Sequence, residues 1–445
     1  MKNISIIGAG LIGSLLSIYL SKRRYKVTLY ERRPDMRKVN IPAGRSINLA
    51  LSDRGWKALQ GVGIEDAIRN IGIPMTHRAM HSIDGKITTQ PYGKNGQGIY
   101  AVSRGILNCT LLDLAESHGV NIHFNQRCTQ INLSNSQMQL EDSVTHQTAS
   151  TTADLIFGAD GAFAATRLQM QLSTDKFNYS QNYLDHGYKE LMFVAGHDGK
   201  HLLDKNALHI WPRGGYMLIA LPNLDGTFTV TLFFSLKGNP SFESLNNKAE
   251  VKRFFNEVFP DAVPLLHDLE NDFFNNPTGS LVTVKCSPWS FHNKLVLIGD
   301  AAHAIVPFYG QGMNCGFEDC TVLNSLLDQF NDNWQEVIPE YEKLRKPAAD
   351  AIGELAIANF VEMRDLVGKP EFLLRKKIEN WFQDKHPDKW TPLYTMVTFS
   401  HIPYHEAQAR GQKQDAIMDE VMKIPDLENL WNSDMVEHKI LQLLH

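Results

Sequence analysis

Residues 3–33, NISIIGAGLIGSLLSIYLSKRRYKVTLYERR, leave a chain few ways to fold. An apolar run at 4–7 predicts a short buried strand. Gly8, Gly10 and Gly13 then complete G-x-G-x-x-G, and Leu15, Leu16, Tyr19 and Leu20 recur at helical spacing. A second strand over 26–30 ends at Glu31, 21 residues beyond Gly10. Each part has a mechanical reason in a dinucleotide site. Gly8 makes the tight turn, Gly10 lets the backbone approach a pyrophosphate, and Gly13 lets helix and strand pack closely. The helix N-terminus offers free N–H groups to the anion. Glu31 is placed to accept from a ribose 2′-hydroxyl, and its charge disfavours a 2′-phosphate. Arg32 and Arg33 pull the other way, since an arginine there serves a 2′-phosphate. This segment alone leaves NAD and FAD open.

Two later segments favour FAD. ADLIFGADGAFAATR, 153–167, reads as a strand ending in Asp160-Gly161. LVLIGDAAHAIVPFYGQGMNCGFED, 295–319, reads as a strand ending in Gly299-Asp300, followed by a Gly-rich entry to a helix. FAD is long and needs a second anchor far from its adenosine end. Asp300 can accept from ribityl hydroxyls, and the backbone at Gly312, Met313 and Asn314 can aim N–H groups at the flavin pyrimidine edge. The helix that follows carries the stripe Met313, Phe317, Leu323, Leu327 and Phe330, and its positive end would stabilise charge on a reduced flavin.

At 445 residues the chain exceeds one ordinary core. Alternating segments LHIWP, GYMLIALPN and GTFTVTLFF, with a turn at Asp225-Gly226, predict an antiparallel sheet threaded through the nucleotide fold. Beyond 330 the pattern is helical, with breaks marked by Pro339, Pro347, Gly368 and Pro370. The expectation is α/β: a Rossmann-like FAD-binding domain (1–70, 101–175, 276–330), an interleaved sheet domain for substrate (71–100, 176–275), and a helical region (331–445). A net charge of -5 argues against nucleic acid as a partner. No apolar run reaches the ~18 residues of a membrane span. Five scattered cysteines predict free thiols in a reducing, cytoplasmic setting. No metal site is expected: His401 and His405 stand four apart, but Pro403 between them spoils a helical pair.

Together, the three strand-end motifs resemble those of the FAD-dependent aromatic hydroxylases of the p-hydroxybenzoate hydroxylase type. The resemblance implies bound FAD, NADPH as co-substrate and O2 as oxidant, and it makes Arg104 a cofactor contact at a helix start. Hydroxylation through a flavin C4a-hydroperoxide needs a dry, aromatic-lined pocket. Pro307, Phe308, Tyr309, Phe233 and Phe234 are candidates for that lining. Segments GRSINLALSDRG (44–55, containing Ala50), HGYKEL (186–191), PFYGQGMNCGFEDC (307–320), NFVEMRD (359–365) and LYTMVTFSHIPY (393–404) narrow the resemblance. They are similar to the members of that family that act on L-kynurenine, a small aromatic amino acid. By that likeness Arg78, Tyr92, Asn359 and Tyr394 hold the amino-acid end of the substrate, with Tyr309 and Gln311 as helpers beside the flavin. It also implies a soluble, bacterial-type protein without the membrane anchor of mitochondrial relatives. Two other readings remain: a related hydroxylase of another aromatic acid, and a non-catalytic dinucleotide-binding regulator.

Overall fold

The computed structural model describes residues 2–39, 48–93, 96–363 and 369–444; the start of the 44–55 segment, the end of 359–365 and the expected break at Gly368 lie outside them. Asn3–Ile7 forms the centre of a six-stranded sheet, flanked by Lys26–Tyr30 and Leu155–Gly158, with Leu295–Leu297 beyond the latter. These four strands run parallel, with Ile7 opposite both Tyr30 and Gly158, and Gly158 opposite Leu297. That register brings Gly8, Glu31, Asp160 and Asp300 to one edge, although almost 300 residues separate the first from the last. It is the carboxyl edge, where open parallel sheets take their ligands. Hydrophobic burial fixes it: Ile4, Ile6, Leu29, Leu155, Phe157 and Leu295 through Ile298 are buried, and a one-residue slip would send each to the opposite face and break its packing.

A seven-stranded sheet covers this edge, in the order Gly279–Ser287, Asn178–Phe193, Phe228–Ser235, Met217–Pro222, Ala207–Pro212, His77–His81, Ile87–Pro91. It is antiparallel apart from one junction, where Ala207–Pro212 runs parallel to His77–His81. No hairpin joins those two strands, which come from distant parts of the chain, so nothing local imposes an antiparallel pairing. The expected turn is present: Gly226, with φ 86°, lies between Met217–Pro222 and Phe228–Ser235. Gly279–Ser287 belongs to this sheet through its pairing with Asn178–Phe193, although it falls after residue 276. One face packs Leu191, Trp211, Leu218, Leu232 and Phe234 against the helices Lys248–Val258 and Leu269–Asn275. The opposite face turns Ile210, Met217 and Phe233 toward the nucleotide fold.

Helix Trp334–Val361 runs through Pro339 and Pro347, so neither proline ends it. An interior proline costs about 3 kcal/mol. Burial of a large apolar side chain returns roughly 1.5–3 kcal/mol, and this helix buries Trp334, Val337, Ile338, Tyr341, Ile352 and Phe360. Pro370 instead opens the helix Pro370–Lys385, where its missing N–H costs nothing. Pro403 precedes Tyr404–Val421 and leaves His401 outside that helix. Among the described residues no helix is long and apolar enough to cross a membrane.

Candidate active site

The glycine loop is built by exclusion. Gly8 sits at φ 104°, and a Cβ there would lie 2.4 Å from the Ala159 carbonyl oxygen; one on Gly13 would lie 2.0 Å from the Gly8 carbonyl oxygen. A Cβ on Gly10 would meet nothing within 4 Å. The first and third glycines are therefore needed by the protein itself, while the second borders open space. Glu31 is buried and fixes the loop by accepting from the Ala9 N–H at 2.9 Å. It also accepts from Arg33, at 3.0 Å from the backbone N–H and 2.8 Å from Nε. Burial raises its pKa, but the Arg33 guanidinium and the two amides outweigh this, so it ionises below the usual range. Arg32 is exposed and takes no part in this pairing.

Asp160 has both oxygens engaged at the next helix, accepting from the Thr166 N–H at 3.0 Å and its hydroxyl at 2.5 Å. Asp300 differs. It is ringed by protein, which pushes its carboxyl up, while Arg104 and His303 hold it down. Yet its own surface is accessible, and it accepts no hydrogen bond from any described residue. Arg104, first residue of the helix Arg104–Ser117, likewise has an accessible side chain and no carboxylate partner among the described residues. Open space at Gly10, an Asp300 carboxylate that accepts no hydrogen bond from the described residues, and the exposed Arg104 cation near it fit a cofactor with a diphosphate and a polyol chain.

The turn before helix Gly312–Gln329 is welded to the rest by side chains. Asn314 is buried; its Oδ1 accepts from Ser52 N–H at 2.9 Å, and its Nδ2 donates to the carbonyls of Ala50 and Gly310, both at 2.8 Å. Gln311 is buried too, accepting from the Tyr404 hydroxyl at 3.0 Å. Their side chains are committed to the scaffold. Behind this turn His303 meets Asp319 at 2.6 Å, and Arg345 meets Asp319 at 2.7 Å and Glu318 at 2.6 Å. Cys315, His303 and Asp319 place ligand-type atoms within 4.8 Å of one another, but Arg345 already compensates Asp319. Burial opposes charge on both His303 and Asp319; their mutual attraction wins, raising the imidazole and lowering the carboxyl.

Across the cleft lies the second group. Arg78, on strand His77–His81, shares the cleft-facing side of the sheet with Ile210 and Phe233 through the pairings Arg78–Leu208, Ile210–Ile219 and Met217–Phe233. Its guanidinium carbon is 5.1 Å from the Tyr92 ring centre and 4.4 Å from that of Tyr394. Tyr394 stacks between Tyr92, at 5.8 Å, and Tyr309, at 5.6 Å. Burial works against the Arg78 charge, but the Tyr394 and Tyr92 oxygens beside it offset that, and it remains a cation. Arg78 has no carboxylate partner among the described residues, and its Nε and the Tyr92 hydroxyl are both buried without a hydrogen bond. Asn359 donates to the Phe308 carbonyl at 2.7 Å. Phe308 stacks on Phe360 at 4.1 Å and tilts against Phe233 at 4.8 Å, giving the apolar wall; Pro307 is exposed at its edge.

Phe234 does not line this cleft. Successive strand residues point to opposite faces, so with Phe233 inward Phe234 packs outward against Tyr216, Phe242 and Phe254. Glu190 was not legible as a site residue. It lies directly across from Thr231 on the cleft-facing side, is buried with an unpartnered Oε2, and burial pushes it up to about 7. The alternation of HGYKEL gives its face only once the strand is known.

A dinucleotide edge is thus roofed by a sheet whose inner face carries an aromatic wall and Arg78, without a carboxylate partner among the described residues, and with the following comparisons it makes the chain a flavoprotein hydroxylase. The FAD binding domain family matches residues 1–356. The fold is shared with 2-methyl-3-hydroxypyridine-5-carboxylic acid oxygenase (TM-score 0.68, 18% identity, 83% of this chain and 94% of that one). It is also shared with tetracycline destructase Tet(51) (TM-score 0.61, 18% identity, 90% and 99%). Kynurenine 3-monooxygenase of Flavobacterium johnsoniae is 54% identical over 99% of this chain and 98% of its own length. That of Flavobacterium psychrophilum is 51% identical over 100% and 99%, and that of Dictyostelium discoideum 44% over 98% and 96%. The chain belongs to the kynurenine 3-monooxygenase family, and its cofactor is FAD.

Proposed function

We propose that this chain hydroxylates L-kynurenine at ring position 3, consuming NADPH and O2 and releasing NADP+ and water. The observation that carries the reading is Arg78: a cation without a carboxylate partner among the described residues, set against the Tyr92 and Tyr394 rings at one end of an aromatic-walled cleft. The names of relatives 54% and 51% identical supply the substrate.

Arg78 takes the α-carboxylate through paired N–H donors, the geometry in which a guanidinium is strongest. The Tyr92 and Tyr394 hydroxyls orient the same group. Asn359, whose amide nitrogen is held by Phe308, turns its remaining oxygen to the α-ammonium. Phe308, Phe233 and Phe360 bury the substrate ring and exclude water. On the other side Gly8, Gly10, Gly13 and Glu31 hold the adenosine end of FAD, Asp300 and Arg104 its middle, and the Gly312–Met313 backbone its ring. Bound there, FAD would supply the redox chemistry, a hydride acceptor for NADPH and the means of activating O2 for hydroxylation of the ring carbon that the aniline nitrogen activates. No side-chain acid or base has to act at that carbon, because the nitrogen supplies the electron push. The five cysteines are free thiols, in keeping with a reducing, cytoplasmic setting.

Anaerobic reduction of bound FAD by NADPH, followed with and without kynurenine, tests cofactor, reductant and substrate together. Kynurenine is expected to accelerate the bleaching of the flavin. A rate indifferent to kynurenine but raised by p-hydroxybenzoate or salicylate assigns the chain to another acid.

A further inference from the structure

Tyr394 stands on Leu393–Thr398, a helix of six residues. So short a helix does not sustain itself, and its last carbonyls need donors from elsewhere. Side chains supply them: the Ser400 hydroxyl donates to the Met396 carbonyl at 2.5 Å, and Arg54 reaches both Met396 and Val397. Arg54, second residue of the helix Asp53–Gly61, is 1% exposed; its Nε donates to the Val397 carbonyl at 3.1 Å and its Nη2 to Met396 at 3.5 Å and to Ile402. Its Nη1 pairs with Glu318 on the helix Gly312–Gln329. Its guanidinium carbon lies 3.9 Å from the ring centre of Tyr404, whose hydroxyl holds Gln311. The same arginine therefore caps the helix of the tyrosine clamp and grips the helix that opens at the flavin turn.

We propose that Arg54 is a positioning residue that sets Tyr394 against the substrate and ties the clamp to the flavin turn, so that a filled clamp and a correctly placed ring go together. This rests on the function proposed above. The guanidinium is required because the carbonyls of Met396, Val397 and Ile402 and the Glu318 carboxylate lie in divergent directions. A lysine has the charge but a single nitrogen, and cannot satisfy all of them.

Arg54→Lys tests the assignment in the FAD-loaded protein, read by the calorimetric Kd for kynurenine, hydroxylated product per NADPH oxidised, and flavin absorbance per polypeptide. The expected result is full flavin content with a Kd raised about tenfold or more and a falling product yield, the missing electrons appearing as hydrogen peroxide. Tyr394→Leu should raise Kd in the parent protein but add little in the Arg54→Lys background, since the ring is already displaced. Wild-type Kd and yield in Arg54→Lys, or effects that simply add, overturn the proposal. If Arg54→Lys does not fold, Glu318→Gln, which keeps an acceptor but removes the charge, is expected to shift Kd and yield the same way by less. No shift there overturns the proposal as well. A parent protein that ignores kynurenine would instead defeat the functional reading, independently of Arg54.

Discussion

Tyr394 lies flat against Tyr92, ring centres 5.8 Å apart and planes within 15° of parallel, although 302 residues separate them. Arg78 rests over both rings, with no carboxylate among the described residues to neutralise it. A desolvated cation held this way is stabilised by the ring faces and keeps its donors for an anion. Arg78→Ala is expected to raise the kynurenine KM roughly 30- to 1000-fold, the cost of about 2–4 kcal/mol for losing one partner of a buried charge pair. Bound FAD should be unchanged, which steady-state kinetics and the flavin spectrum report together.

The two glycines of the nucleotide loop should fail differently. Gly8→Ala drives a Cβ to 2.4 Å from a backbone oxygen at a positive φ, so the thermal midpoint should fall by several degrees. Gly10→Ala meets no protein atom within 4 Å. It should keep the midpoint of the apoprotein and lose affinity for FAD, measured by titrating the cofactor back in.

Glu190 makes stability depend on pH. Burial raises its folded value to about 7, against roughly 4.3 when unfolded. The folded chain thus holds a proton that the unfolded chain releases, and stability falls as pH rises through that window, levelling above pH 7. The full swing is at most about 4 kcal/mol. Thermal melts of Glu190→Gln at pH 5 and pH 8 should show a smaller loss between the two than the parent, with the variant the more stable at pH 8.

Asp319 accepts from His303, Arg345 and the Gly299 N–H. Asp319→Asn leaves the buried His303 cation without its counter-charge and Arg345 with Glu318 alone, and should cost about 3–5 kcal/mol, visible as a lower urea midpoint. Because Gly299 precedes Asp300, FAD retention should fall in parallel.

The nucleotide edge was readable in the sequence because each of its parts is local: a strand, a glycine spacing, a helix, an acid at a strand end. That three such ends meet follows from parallel register, which the repeated pattern implied. The clamp was not readable from local pattern. Arg78 sits on a strand, Tyr92 after one and Tyr394 on a short helix, so only the tertiary fold brings these three together; the family likeness named them, and Asn359 on its long helix with them. Phe233 and Phe234 show the limit well, since adjacent aromatic residues look equivalent until strand direction assigns one to each face. Arg54 sat within a quoted segment, but nothing local tells an arginine that caps a helix more than 300 residues away from one in water.

The account stands most directly on what the intact, FAD-loaded protein makes from kynurenine. With NADPH in air, 3-hydroxykynurenine should form in near one-to-one ratio with NADPH consumed, while the decarboxylated analogue, lacking the group proposed to pair with Arg78, should leave NADPH oxidation at its resting rate. Equal turnover with both compounds, or NADPH consumed without hydroxylated product, would contradict it.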